Sequence, residues 1–222
     1  VDIAILDQER TGIDIITDGE SRRLDGYVDG YYSIIGGIEP VEPTRKVGPW
    51  GYDQQTRYMA NNRITAPDGL GIVDEFNYLN SHTDKSTKVT CAGPLTFASR
   101  INPGSVYNDT VDLAKEFAGV INNELKRLVT AGATFIQIDE PARGTVTGQQ
   151  MACLFNKATE GVNAKLAFHI CFGNRFGQSR FKRTYSDYFP GAMEANTHQF
   201  VLEFANREMA EIDMWKVWND GR

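Results

Sequence analysis

Five short apolar runs alternate with stretches of helical period along this chain, and four of them break off at carboxylates, a histidine or a cysteine. The runs are Ile13 to Thr17, Lys88 to Pro94, which ends abruptly at Gly93-Pro94, Thr134 to Ile138, Lys165 to Cys171 and Gln199 to Leu202. Each is too short for a helix and reads as a strand. Strands separated by helices make a parallel sheet wrapped by helices, because a parallel partner is reached only through a crossover. The fold class is therefore α/β. Asp18 and Glu20, Asp139 and Glu140, His169 and Cys171, and Glu203 all fall at C-terminal strand ends, the rim that carries chemistry in a (β/α)8 TIM barrel. A doubly wound sheet also binds ligands there, but no glycine-rich dinucleotide or phosphate fingerprint follows any run.

The intervening stretches supply the helices. Val1 to Thr11 reads as a short amphipathic helix closed by Gly12, and Asp68 can cap a helix carrying Val73, Phe76 and Leu79. Asn108 or Asp109 caps a long helix whose apolar positions Ala114, Phe117, Ala118, Ile121, Leu125, Leu128 and Val129 share one face, with Gly132 at its end. Thr147 to Glu160 forms a further helix stopped by Gly161, and a last one runs through Met209, Ile212 and Trp215. Between Gly26 and Thr65 the period disappears, and Pro40, Pro43 and Pro49 stand among Tyr27, Tyr31, Tyr32, Trp50, Tyr52 and Tyr58. This is a long aromatic excursion containing a hairpin, the kind of insertion that tends to serve function.

Composition removes whole classes of partner. A net charge of -6 and a pI near 5.1 argue against nucleic acid and anionic membranes, which are bound through clustered Lys and Arg. The densest basic cluster, Arg175 to Arg183, is interrupted by Phe, Gly and Gln and reads as a solvated loop. No run approaches a membrane span of about 18 apolar residues. Three cysteines, Cys91, Cys153 and Cys171, make no disulfide framework and suit a reducing cytoplasm.

The run Phe168-His169-Ile170-Cys171-Phe172-Gly173 concentrates the chemistry. In a strand, residues i and i+2 share a face, so the imidazole of His169 and the thiol of Cys171 converge. Taken alone, the pair also reads as a satisfied core histidine beside a small buried thiol. With Glu203 from the next strand end, His169 and Cys171 make a three-donor zinc site that keeps one position open. A thiol entering that position would lose its proton and become a strong nucleophile. Glu20 and Asp139 would then hold a cationic group such as an amino acid's ammonium, although Asp18-Gly19 and Asp139-Glu140-Pro141 also suit plain turns.

In this order, Asp18-Gly19-Glu20 with Arg22-Arg23, Ala92-Gly93-Pro94-Leu95-Thr96, Ile136 to Ala142, His169 to Gly173 and Leu202-Glu203-Phe204-Ala205-Asn206 resemble the catalytic barrel of cobalamin-independent methionine synthases and their short core forms. The resemblance implies zinc held by His169, Cys171 and Glu203, and a homocysteine amino group gripped by Glu20 and Asp139. It also implies a methyl donor, either methyltetrahydrofolate or a methyl-corrinoid, and methionine as product. Two family features are missing: an opening strand with a Gly-Ser-Phe-Pro-like segment, and closing strands that bring a second zinc-binding cysteine. About strands 2 to 6 of the eight are expected here, in one partial catalytic domain over 1–222, from a natural protein longer at both ends. The family's general acid lies beyond Arg222, so no catalytic acid is assigned. Two other readings remain: an epoxyalkane:coenzyme M-type zinc thiol alkyltransferase, whose sulfonate the two carboxylates would repel, and a non-catalytic fragment. His82 and His198 are expected on the surface or in loops.

Overall fold

A computed structural model describes residues 1–23, 27–42, 56–141, 146–175, 178–179, 184–205 and 208–218. Trp50 and Tyr52 of the excursion, Ala142, Asn206 and most of the basic stretch 175–183 lie outside the described residues. The elements follow the alternation. Helix α1 (Asp2–Arg10) leads to β1 (Ile15–Ile16), and the hairpin β2 (Gly36–Val41) and β3 (Arg57–Thr65) precedes α2 (Ile72–Ser81). Then come β4 (Ser86–Thr87), β5 (Val89–Ala92), α3 (Pro94–Ala98), β6 (Ile101–Asn102) and α4 (Thr110–Thr130). The rest is β7 (Phe135–Pro141), α5 (Gly148–Thr159), β8 (Lys165–Cys171), β9 (Asn174–Arg175), β10 (Gln178–Ser179), β11 (Gln199–Leu202) and α6 (Trp215–Trp218).

Strands β5, β7, β8 and β11 lie side by side in chain order, all parallel. Strand β1 joins this series through parallel pairing with β4, and the Lys88 amide reaches the Ile16 carbonyl at 2.9 Å. The order never reverses, as a doubly wound sheet must. The result is an α/β arc of parallel strands covered by helices, and among the described strands it does not close on itself. The excursion does contain the expected hairpin, β2 against β3, and β6 adds to it in parallel.

Alternation along the strands sorts the side chains. Ile136, Ile138, Leu166, Phe168 and Ile170 are buried against the helix layer, where α4 contributes Leu113, Phe117, Ile121, Leu125 and Leu128 and α5 contributes Met151, Leu154 and Phe155. The odd positions Gln137, Asp139, Ala167, His169 and Cys171 take the other face. Asp109 caps α4 by accepting from the Asp112 amide, and Thr147 with Gln150 forms a capping box on α5.

Three expectations change. Helix α2 is not capped by Asp68; its N-cap is Gly71, and its amide ends are taken by Glu124 from α4. Pro94 does not merely end a strand but opens α3, where its missing N–H costs nothing. The last helix shrinks to α6 with a single 3-10 turn at Ile212–Met214, because Glu208, Met209 and Glu211 have φ of 52°, 63° and 68°. Left-handed residues cannot continue a right-handed helix. The Glu211 carboxylate accepts from the Tyr185 amide and from the amide and hydroxyl of Ser186, contacts that compensate for the strained backbone.

Candidate active site

The strand-end residues gather along the rim formed by β1, β5, β7, β8 and β11. Asp139, the fifth residue of β7, accepts from the Tyr27 hydroxyl at 2.7 Å and from the Gln137 amide group at 2.8 Å. Glu20 follows a tight turn in which both Gly19 and Glu20 have positive φ. Asp18 holds that turn by accepting from the Glu20 amide at 3.0 Å. The Glu20 carboxylate accepts from Thr90 of β5 at 2.7 Å and pairs with Arg23 at 2.5 Å. Burial pushes the Glu20 carboxyl above the ordinary value, and the neighbouring charges of Asp139 and Asp18 add to the rise against the pull of Arg23 and Thr90. Glu20 and Asp139 therefore share one electrostatic environment, as an ammonium site requires.

Arg23 is nearly enclosed and organises this corner. Besides Glu20 it reaches Glu75 at 3.3 Å and the Thr90 carbonyl at 2.9 Å. Its guanidinium carbon lies 5.0 Å from the centre of the Tyr27 ring and 5.7 Å from that of Tyr31. The Tyr31 hydroxyl completes the chain by donating to Glu75 at 2.9 Å.

On the other side of Asp139, in register with it across the β7–β8 pair, stands His169. Its Nδ1 lies 2.8 Å from the Val201 carbonyl, so Nε2 is the nitrogen left to face a ligand. Metal-ligating histidines are oriented by this kind of bond. Burial disfavours the imidazolium, but the hydrogen bond to Cys171, the charges of Asp139 and Cys171 and the Val201 carbonyl outweigh it, and the ring's pKa is pushed up to about 9. The strand spacing does bring His169 and Cys171 into hydrogen-bonding contact, and this nitrogen and sulfur pair suits zinc.

Glu203 follows the last residue of β11. Its amide donates to the Tyr185 hydroxyl at 2.6 Å, and the same hydroxyl donates to the Ile170 carbonyl at 2.9 Å. One buried tyrosine thus ties the end of β11 to the strand that carries His169 and Cys171. Both the Glu203 and Cys171 charges act on it. Even so, among the described residues no three His, Cys, Asp or Glu side chains lie close enough together to hold a metal ion. The structure brings His169 and Cys171 together, while Glu203 follows at the end of the neighbouring strand β11.

The second carboxylate of the Asp-Glu pair has a different task. Glu140 is 2% exposed and accepts from the Leu95 amide at 2.8 Å, the Thr96 amide at 2.9 Å and the Thr96 hydroxyl at 2.9 Å. It caps α3 from below. Gly93 is required there, since a Cβ would fall 2.4 Å from the Glu140 carboxyl carbon. The two remaining histidines do lie at the surface: His82 stacks on Tyr78, and His198 accepts from the Leu166 amide.

A family model described as cobalamin-independent synthase, catalytic domain, matches residues 1–172. The chain is 31% identical over 216 residues to a methionine synthase of Sulfurisphaera tokodaii, covering 96% of this chain and 59% of that protein. It is 32% identical over 218 residues to the methionine synthase of Thermococcus kodakarensis, covering 96% of this chain and 60% of that one. The fold is similar to that of a B12-independent methionine synthase from Shewanella sp. W3-18-1 in complex with selenomethionine, with a TM-score of 0.71 and 25% identity, covering 89% of this chain and 60% of that chain. The chain thus spans about three fifths of the length of these relatives. Among the described residues no helix is long and apolar enough to cross a membrane. With its strand-end carboxylates and its His169–Cys171 pair in place and the catalytic-domain model matched over 1–172, this chain belongs to the cobalamin-independent methionine synthase family.

Proposed function

We propose that the protein transfers a methyl group to the sulfur of homocysteine, forming methionine, and that residues 1–222 are one catalytic unit whose parallel strands form an arc of a (β/α)8 barrel. The observation that carries this reading is the single rim on which Asp139 faces Glu20 on one side and His169 on the other. One end of an amino-acid thiol can be held there while its sulfur is presented at the other. Glu20 and Asp139 bind the ammonium. His169 and Cys171 would hold zinc, with Glu203 moving in from the end of β11 as third donor, and Val201 keeps His169 in orientation. When bound, zinc favours the thiolate over the thiol at neutral pH. As the sulfur–methyl bond forms, the bond from that methyl to the donor's nitrogen breaks, and the proton given up by the sulfur is balanced by one taken up on that nitrogen. Methylated folate is the donor proposed, since relatives described as cobalamin-independent lend no support to a corrinoid. Two carboxylates facing the ligand's head group also disfavour the sulfonate of coenzyme M. Three free cysteines suit a reducing cytoplasm.

The test is metal analysis and turnover on the purified protein. About one zinc per chain, lost in His169→Ala and in Cys171→Ser, together with methionine formed from homocysteine and methyltetrahydrofolate, is the outcome expected. Metal-free protein, or alkylation of coenzyme M in preference to homocysteine, would refute the proposal.

A further inference from the structure

Both carboxylates proposed for the ammonium are held by hydroxyls from one short segment of the excursion. Tyr27 donates directly to Asp139 at 2.7 Å. Tyr31, in the 3-10 turn Asp29–Ser33, donates to Glu75, which pairs with Arg23, which pairs with Glu20. The first link is the shorter and the more direct. An isolated carboxylate at a strand end can rotate about its side-chain torsions, whereas Asp139 has a separate donor on each oxygen, Tyr27 on Oδ2 and Gln137 on Oδ1.

Arg23 poses a problem that the same tyrosine addresses. A guanidinium beside Glu20 would repel an incoming ammonium. The Tyr27 ring lies 5.0 Å from its central carbon, and Glu20 and Glu75 neutralise it from two other directions. Burial, followed by the charges of Asp139 and Glu20, holds the Tyr27 phenol well above its usual pKa, so it remains a donor at any working pH. Kept neutral, it adds no negative charge of its own, so the carboxylates remain the charged acceptors for an ammonium.

We infer that Tyr27 is a positioning residue of the ammonium site: its hydroxyl fixes the Asp139 carboxylate and its ring covers Arg23, so that an amino-acid ligand meets two oriented carboxylates. This rests on the reading of Glu20 and Asp139 as the ammonium site. Nothing in the sequence spacing signals the link, because Tyr27 and Asp139 are 112 residues apart.

The experiment compares two probes on the purified protein by calorimetry: methionine and its counterpart lacking the amino group. Tyr27→Phe keeps the ring and removes the hydroxyl. It should weaken methionine about tenfold, the scale of one charge-assisted hydrogen bond, and leave the amino-free ligand unchanged. Equal weakening of both ligands, or no weakening of methionine, overturns the inference. Asp139→Asn separates this from failure of the underlying reading. If that substitution spares the preference for methionine over its amino-free counterpart, or if the unsubstituted protein has no such preference, the ammonium site itself is misassigned and the role of Tyr27 falls with it.

Discussion

Asp139 and Glu140, neighbours in sequence, send their carboxylates to opposite faces of one strand and into different work. Asp139 lies on the rim, held by Tyr27 and Gln137, while Glu140 is buried under α3 and takes two amides and a hydroxyl. A strand's period of two sets the division. A helix start left without its acceptor would bury unsatisfied donors, so the inward carboxylate is as constrained as the outward one.

The two positions should therefore fail in different ways. Glu140→Ala strands the Leu95 and Thr96 donors in the interior and should cost about 3 kcal/mol of stability. Asp139→Asn, at a half-buried site where the Tyr27 hydroxyl can turn to accept, should lower the denaturant midpoint far less than Glu140→Ala while weakening methionine by about 2 kcal/mol, roughly thirtyfold. Urea titration and calorimetry on both variants check the crossover. A large stability loss in Asp139→Asn would contradict it.

Glu124 repeats the device on a larger scale. From the middle of α4, 1% exposed, it accepts from the amides of Leu70, Ile72 and Val73 at 2.9, 2.8 and 3.3 Å. Gly69 sits so close, with φ of 93°, that a Cβ would come within 2.4 Å of the carboxylate. Glu124→Gln turns a donor group toward these donors and should destabilise the fold by about 2 kcal/mol. Hydrogen exchange at Leu70, Ile72 and Val73 should quicken ahead of the core strands. Asp68→Ala, at an exposed residue, should change stability by less than about 0.5 kcal/mol.

These caps also mark how far the sequence could be read. Where the donor and its acceptor lie within one turn, as for Asp109 and Asp112 or Thr147 and Gln150, the start of the helix is legible. Where the acceptor comes from 52 residues away, as for Glu124 and Ile72, the nearest plausible residue, Asp68, is chosen wrongly. The site divides in the same way. His169 and Cys171 are two apart on one strand, and their meeting follows from strand geometry alone. Arg23 with Glu75, Tyr27 with Asp139 and Tyr185 with Glu203 are joined only by the tertiary fold, and no spacing betrays them. The helix expected through Met209 and Ile212 has a fair apolar period, yet the contacts of Glu211 with Tyr185 and Ser186 override it.

Tyr185 should matter to the proposed zinc site without contributing a ligand to it. Its hydroxyl links the Glu203 amide to the strand bearing His169 and Cys171, through the Ile170 carbonyl. Tyr185→Phe keeps the buried ring and removes that link. Groups that orient metal ligands from behind are worth roughly ten- to a hundredfold in affinity, and a loss near the lower figure is expected by chelator competition. Cobalt in place of zinc should give an altered visible spectrum in the variant. Unchanged affinity and spectrum would mean that Glu203 is placed by other contacts.

Acid should affect ligand binding and stability in opposite senses through Glu20. Burial raises its carboxyl above the unfolded value of about 4.5, with Asp139 and Asp18 adding to the rise. In the window between those two values the folded protein holds a proton that the unfolded chain does not, so stability from this group is present at the acid side and is lost as pH rises through the folded value. An ammonium ligand needs the ionised form. Lowering the pH from neutral through this window should therefore weaken methionine binding, while the Glu20 contribution to stability grows. Glu20→Gln should flatten the pH dependence of affinity and bind methionine more weakly at neutral pH. Calorimetry and thermal unfolding across the same pH series measure the two trends, and parallel movement of affinity and stability in the unsubstituted protein, unchanged in Glu20→Gln, would assign the acid response to another group.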